Sequence, residues 1–459
     1  MNQQTDQRPT SRLSGSDLRY LAIVALPIVG LLIVIMVAIM SWMVGASQVR
    51  AARLQYTDGS DVSINQWFTQ RMDSESSMDQ TARWKRILDS ATAIVKSPAF
   101  AIVEASTAAD NHLGIDDAKE ACAEIANQAA PVLAELDELR AESSKPIWLP
   151  IEFNGISTLL PEFEQSRNLA RLLQADLIDA FHQDDTTRAL QTLRRFDVFN
   201  EQHATLHLII CDLLQISCVD TQFKMVEETL QHDFWSDEEL AQVAEIIRAN
   251  DDVGDRWRQT VLDELRIELA VIEELSDVFT ADVPRGLIST APSFIKSHFE
   301  LMNQLADLRG AGTVSHVESV SRLVDLYSDD RGAAKQRSRS LDTLLQLPVS
   351  DESVVLNMIR PSFSSFAEAL YKHQRAKRRV LTAIAIKQYQ TREGRLPTNL
   401  GELWDAGTST ADLLTTDGDP FVYELADDGE SAVLKDYIGD PRIEDDEWQD
   451  KSWHTIVIK

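Results

Sequence analysis

Residues 204–231 read ATLHLIICDLLQISCVDTQFKMVEETLQ. Leu206, Ile209, Ile210, Leu213 and Leu214 recur at three- and four-residue spacing and put apolar side chains on several faces of a helix. A helix apolar on that many faces belongs at the centre of a bundle. Just downstream, Ser236-Asp237-Glu238-Glu239 is a capping box that opens another helix. Upstream, the same periodicity predicts helices at Met78–Lys96, Asp116–Glu142, Glu162–His182 and Thr186–Asn200. Pro131 is expected to kink or split the second of these, and Asp184-Asp185 reads as a turn with an N-cap. Ser144–Pro161, with three prolines and Ile147, Trp148 and Leu149, reads as a packed loop. Further helices are predicted at Asp255–Glu274, Phe294–Leu308 and Val314–Tyr327. Short connections make neighbouring helices antiparallel, so the expected class is mainly α, a stack of antiparallel helical hairpins. No strict 34-residue repeat marks a regular solenoid.

Towards the C-terminus the pattern changes. Ser328–Ser350 is polar and slightly basic and marks a boundary. Ser362–Thr391 then reads as one long amphipathic helix, ended by Gly394, Pro397 and Gly401. Pro420–Leu425 and Ala432–Tyr437 alternate like strands around the hairpin signal Asp428-Gly429, and Trp453–Ile458 offers a third strand. A small C-terminal α+β module is expected.

At the other end, Tyr20–Val49 carries no charged residue, and Leu21–Val44 is nearly all apolar. Those 24 residues would span about 36 Å as a helix, enough for the ~30 Å hydrocarbon core. Trp42 lies near one end of the run, where an indole can sit at headgroup level. A buried core helix is the alternative, but uncharged runs of this length favour a membrane span. The run and its polar lead are both long for a cleaved signal peptide, which favours an uncleaved signal anchor. Arg8, Arg12, Arg19 and the amino terminus precede the run, whereas Arg50 and Arg53 follow it. That bias favours a cytoplasmic N-terminus and an exported body. The expected order is therefore a polar tail (1–19), a single-pass anchor (20–46), a helical-hairpin domain (47–350) and a long helix with the β module (351–459).

The chain of 459 residues has 44 Lys+Arg against 73 Asp+Glu, a net charge of -29. So acidic a surface repels phosphate backbones, which argues against nucleic acid as a partner. Three cysteines make no disulfide framework, and buried thiols are expected at Cys122, Cys211 and Cys218.

Two stretches carry a resemblance. The first runs from Trp148-Leu149-Pro150 through Leu159-Leu160-Pro161 to Arg167-Asn168-Leu169-Ala170-Arg171-Leu172-Leu173, followed by Asp185, Ala189-Leu190 and Ser236–Leu240. The second holds Tyr389, Gly394-Arg395-Leu396-Pro397, Leu400, Leu403, Asp417-Gly418-Asp419-Pro420-Phe421 and Tyr423. Together they resemble large families of uncharacterised, membrane-anchored helical proteins of bacteria. The second stretch is also similar to the C-terminal part of type II secretion pseudopilins. The resemblance implies an exported helical domain with a small C-terminal module and no known reaction. The chain departs from the pseudopilin pattern at its start, where Gly15 is followed by Ser16-Asp17-Leu18-Arg19-Tyr20 and not by an aromatic-glutamate pair.

Three sets of residues are candidate sites. His203, His207 and Cys211, at spacing four on one helical stripe, could in neighbouring pairs share a metal ion. The competing reading packs them in or near the core, and no Glu-x-x-His or His-Glu-x-x-His supports the metal. Arg360–Arg395 holds nine basic residues against Glu368 and Glu393. Arg375, Lys377, Arg378 and Arg379 either dock an acidic partner or anionic lipid, or complement the chain's own acidic hairpins. Asp436, Asp440, Glu444, Asp445, Asp446, Glu447 and Asp450 either hold Ca²⁺ or form a solvated acidic loop without an EF-hand spacing.

No Gly-x-Ser-x-Gly, nucleotide-binding glycine loop or Walker lysine is present. The expected function is a non-catalytic interaction or scaffold protein at the cell envelope, with no cofactor and a protein partner. The alternatives are a membrane-bound metallo-hydrolase using His203 and His207, and an accessory of a secretion or pilus-type machine.

Overall fold

The computed structural model describes residues 78–108, 118–142, 162–202, 208–250, 253, 259–260, 263–264, 354–405, 408–409, 412–415, 420–437 and 453–458. The expected anchor, the loop at 144–161, the helices at 294–308 and 314–327, His203, His207 and nearly all of the acidic tail lie outside these residues. The described chain is mainly helical with one small antiparallel sheet. Among the described residues no helix is long and apolar enough to cross a membrane. The chain divides into two compact units. One comprises Met1–Gly59, Ile272–Val317 and Val349–Leu356; the other comprises Ser60–Val271, Glu318–Pro348 and Asn357–Lys459 and holds nearly all the described residues.

In that second unit, α1 (Met78–Val95), α2 (Pro98–Ala108), α3 (Lys119–Glu142), α4 (Glu162–His182), α5 (Thr186–Arg195), α6 (Asp197–Gln202), α7 (Ile209–Thr229) and α8 (Asp237–Ala249) form a helical body. Trp84, Ile87, Leu88 and Ala91 recur at three and four residues, so α1 buries one stripe. Arg83 reaches Glu142 while Arg86, one turn later, reaches the earlier Glu135, so α1 and α3 run antiparallel. α3 continues unbroken through Pro131. The proline sits on the exposed side, while Ala129, Leu133 and Leu136 bury the opposite face and offset the lost hydrogen bond. α4 packs on α1, α3, α5 and α7 and so occupies the middle of the body. Its Leu169, Leu172, Leu173, Leu177 and Ile178 are all fully buried.

Asp184 takes a left-handed φ of 55°, and Asp185 caps α5 by accepting from the Arg188 backbone N–H at 3.0 Å. The single helix expected over Thr186–Asn200 is two, α5 and α6, separated at Phe196, whose buried ring packs 5.9 Å from that of Phe199. The capping box at Ser236 and Glu239 makes both of its reciprocal bonds. Glu239 also accepts from the Thr186 hydroxyl at 2.5 Å, so one carboxylate ties the starts of α5 and α8 together. Burial pushes the Glu239 carboxyl up, but the bonds from Thr186 and Ser236 outweigh it and hold it below its ordinary value.

The C-terminal part adds α9 (Val354–Glu393), α10 (Gly401–Asp405) and the strands β1 (Val422–Leu425), β2 (Ala432–Tyr437) and β3 (Trp453–Ile458) in the order β1-β2-β3. Gly394, at φ +70°, lets the chain leave α9. Gly429, at φ +72°, makes the hairpin turn that sets Leu425 opposite Ala432. Ala432, Leu434, Ile456 and Ile458 form the buried sheet face. They share one apolar core with Leu396, Leu403 and the α9 residues Val380–Ile386. Every residue from Arg379 to Lys387 is buried. The helix that reads as amphipathic in sequence is therefore enclosed over this stretch.

Candidate functional site

Four polar clusters sit in or beside this core, and two bear directly on the residues singled out from sequence. The first is the start of α7. Leu208 is extended and supplies no side-chain cap; instead the Ile209 N–H donates to the Glu264 carboxylate at 3.2 Å. One turn further, Asp212 is fully buried and accepts from the Thr260 hydroxyl at 2.6 Å. Asp263, 1% exposed, accepts from Gln259 at 2.8 Å. Cys211 is buried in no disulfide, and Cys218 lies two turns on. Burial pushes the Cys218 thiol up to about 12, with Arg167 drawing it down and Asp220 adding to the rise. Cys122, pushed up to about 12 by burial and then by Asp179, is likewise a neutral packing group at physiological pH.

Asp212, Thr260, Asp263 and Glu264 were not picked out from sequence. A signal for Asp212 was present: it is the sole charged residue between positions 202 and 219. A lone carboxylate in an apolar helix is costly and implies a partner on another element. Thr260, Asp263 and Glu264 carried no such mark. Among the described residues, no group of three or more His, Cys, Asp and Glu is arranged to hold a metal ion.

Deeper along α7, Gln215 donates to Asn200 at 2.9 Å, Asn200 to Asn250 at 3.0 Å and Asn250 to Gln222 at 2.7 Å. Gln222 closes the chain on the Leu193 carbonyl at 2.8 Å. All four amides are buried, so their mutual satisfaction is what makes a polar interior tolerable.

The second cluster is the basic stretch on α9, whose side chains reach the chain's own acceptors. His373 Nδ1 lies 2.6 Å from Asp220, with its ring stacked 5.2 Å from that of Phe223. Arg379 donates to Glu227 through Nε at 3.0 Å and Nη2 at 2.7 Å. Lys387 reaches Asp233 at 2.9 Å and Arg392 reaches Asp237 at 3.0 Å. Lys377 donates to the carbonyls of Asn250 at 2.7 Å and Arg248 at 3.2 Å, the open end of α8. Arg378 donates to the Thr415 carbonyl at 2.7 Å, and Arg375 to the Tyr371 hydroxyl at 2.5 Å. Arg375, Lys377, Arg378 and Arg379 all make contacts within the chain, and of these Arg379 meets a carboxylate. Of the acidic-tail carboxylates, none has a described side chain.

A third cluster joins α4, α5 and α3. Asp176, 2% exposed, accepts from Arg188 at 2.5 Å, Thr192 at 2.5 Å and Arg195 at 3.3 Å. Arg188 also reaches Asp179 at 2.7 Å, and Arg195 reaches Asp137 at 2.7 Å. Burial draws the Arg188 guanidinium down, but the bonds and charges of Asp176 and Asp179 more than reverse this and raise it.

The fourth is the Gly394–Pro397 motif. Glu402 accepts from Thr398, from the Tyr389 hydroxyl at 2.5 Å, and pairs with Arg395 at 3.0 Å. The hydrogen bonds from Thr398 and Tyr389, then Arg395, hold the Glu402 carboxyl down at about 2. Tyr423 donates to the Pro397 carbonyl at 2.7 Å, so the motif pins the sheet to the end of α9. Comparison with family models, with curated proteins and with solved structures finds no match to this chain.

Proposed function

We propose that this chain is a single-pass, membrane-anchored helical protein whose extracytoplasmic body binds another protein at the cell envelope without catalysing a reaction. The observation that carries the reading is the uncharged run Tyr20–Val49, long enough to span a bilayer and preceded by three arginines. The engagement of the basic α9 side chains within the chain adds support. Arg379, Lys387 and Arg392 are each met by a carboxylate of the chain itself, which leaves less of the basic stretch for anionic lipid. The test is purification of the tagged full-length chain from its native membrane in mild detergent, with co-purifying proteins and bound metals quantified. A stoichiometric protein partner is expected, and its identity separates a general scaffold from an accessory of a secretion or pilus-type machine. Extraction of the chain by carbonate, without detergent, would overturn the anchor; a solitary chain that turns over a substrate would overturn the binding role.

One observation favours a second reading. Glu264 bonds the backbone two residues beyond His207, and the buried Asp212 lies one turn further on. Glu264 thus brings one carboxylate from a second segment to the start of α7, a ligand type that a metallo-hydrolase using His203 and His207 would need. A near-stoichiometric transition metal, lost on His207→Ala, would support that enzyme; metal-free protein would count against it.

A further inference from the structure

The His373–Asp220 hydrogen bond and the three ion pairs between α9 and the segment Asp220–Asp237 share a property that their separate geometries do not reveal. The paired residues lie 153, 152, 154 and 155 positions apart in sequence, for His373–Asp220, Arg379–Glu227, Lys387–Asp233 and Arg392–Asp237. The two pairs on α7, His373–Asp220 and Arg379–Glu227, mean that α9 runs parallel to α7 in one register, while Asp233 and Asp237 meet α9 from the turn and the start of α8. Val380-Leu381-Thr382-Ala383-Ile384-Ala385-Ile386 is buried throughout, so no wet face fixes its rotation. The charges do discriminate. A slip of four residues would set the buried Arg379 opposite Phe223 or Gln231 in place of Glu227, leaving a charge without its counterion in a desolvated site.

We propose that this charge ladder is a register device: it selects the one parallel alignment of α9 on α7 and thereby decides where the C-terminal sheet docks. The module depends on that alignment because its attachments lie along α9 from Thr382 to just past its end. Tyr389 and Arg395 hold Glu402, and Thr382 donates to the Asp412 carbonyl at 2.5 Å. A one-turn slip would move them all by about 5.4 Å. Buried polar groups that specify register at some expense of stability are known from helical assemblies.

The test measures register directly in the full-length chain. Spin labels at Lys224→Cys and Glu393→Cys occupy exposed positions. Lys224 lies level with Lys377, so the labels stand about 24 Å apart along the helix axis. The native thiols are at most 1% exposed and do not compete for label. A single narrow distance distribution is expected for the parent. In the variant Glu227→Leu, Arg379→Met, Lys387→Met, a folded chain with a second population shifted by about 5 Å is expected. The swapped pair Glu227→Arg, Arg379→Glu should restore a single population. An apolar variant that keeps the parent distance alone would overturn the proposal. Unfolding of the apolar variant would also overturn it, by showing that the ladder supplies stability and not choice of register. A split distribution in the swapped pair would do the same.

Discussion

Replacing Asp176 by alanine tests the energetic reading of the α4–α5 interface most sharply. This carboxylate is 2% exposed and accepts from Arg188, Thr192 and Arg195. Its removal leaves Thr192, fully buried, without that acceptor, and Arg195, 7% exposed, with Asp137 as its remaining carboxylate. Breaking a buried ion pair from one side costs about 3–5 kcal/mol. Arg188 retains Asp179, and its side chain is 29% exposed, so water recovers part of the loss. The lower end, about 3 kcal/mol, is therefore expected. With a urea slope of about 3 kcal/mol/M, the midpoint should fall by about 1 M. The assay is urea denaturation of the full-length chain in dodecyl maltoside, followed by helical circular dichroism. Asp176→Asn keeps an acceptor oxygen but not the charge, and should lose about half as much. A loss below about 1 kcal/mol for Asp176→Ala, the range of surface pairs, would refute the argument that this network is held in a desolvated site.

Other expected outcomes follow from single groups. Cys122 and Cys218 are held as thiols at about 12, and Cys211 is buried. Native chain at pH 8 should therefore react slowly with a disulfide reagent, while urea exposes three thiols; one fast thiol before denaturation would contradict this packing. Glu402, held at about 2 against an ordinary 4.5, contributes stability that is complete above 4.5 and is lost as pH falls towards 2. The stability gap between the parent chain and Glu402→Gln should accordingly close on acidification, and a gap independent of pH would refute the assignment. Ser236→Ala removes the acceptor for the Glu239 N–H and should cost about 1 kcal/mol in the same urea assay; an unchanged midpoint would show that the cap is not contributing.

Physical necessity explains which features could be read from the chain. Helices are local: Ser236 and Glu239 meet because they are three residues apart, and the stripe Trp84, Ile87, Leu88, Ala91 follows from 3.6 residues per turn. The same holds for the hairpin at Gly429 and the α9 terminus at Gly394, where only a residue tolerant of positive φ fits easily. Lys377, Arg378 and Arg379 could be read as a basic cluster. What its members meet within the chain could not, since Asn250, Thr415 and Glu227 lie 127, 37 and 152 residues away in sequence.

The sequence by itself determined the mainly helical class, the start of α8, the three strands and the uncharged N-terminal run, because each depends on neighbours within a few residues. Tertiary structure alone decided that α5 ends at Phe196, that Glu264 caps the start of α7, and that Asp176 gathers two arginines. It also decided that the middle of α9 is enclosed and that its cations stand level with Asp220, Glu227, Asp233 and Asp237. Those outcomes depend on which distant surfaces meet. A buried charge must find its counterion wherever the fold brings one, and no local spacing encodes that meeting.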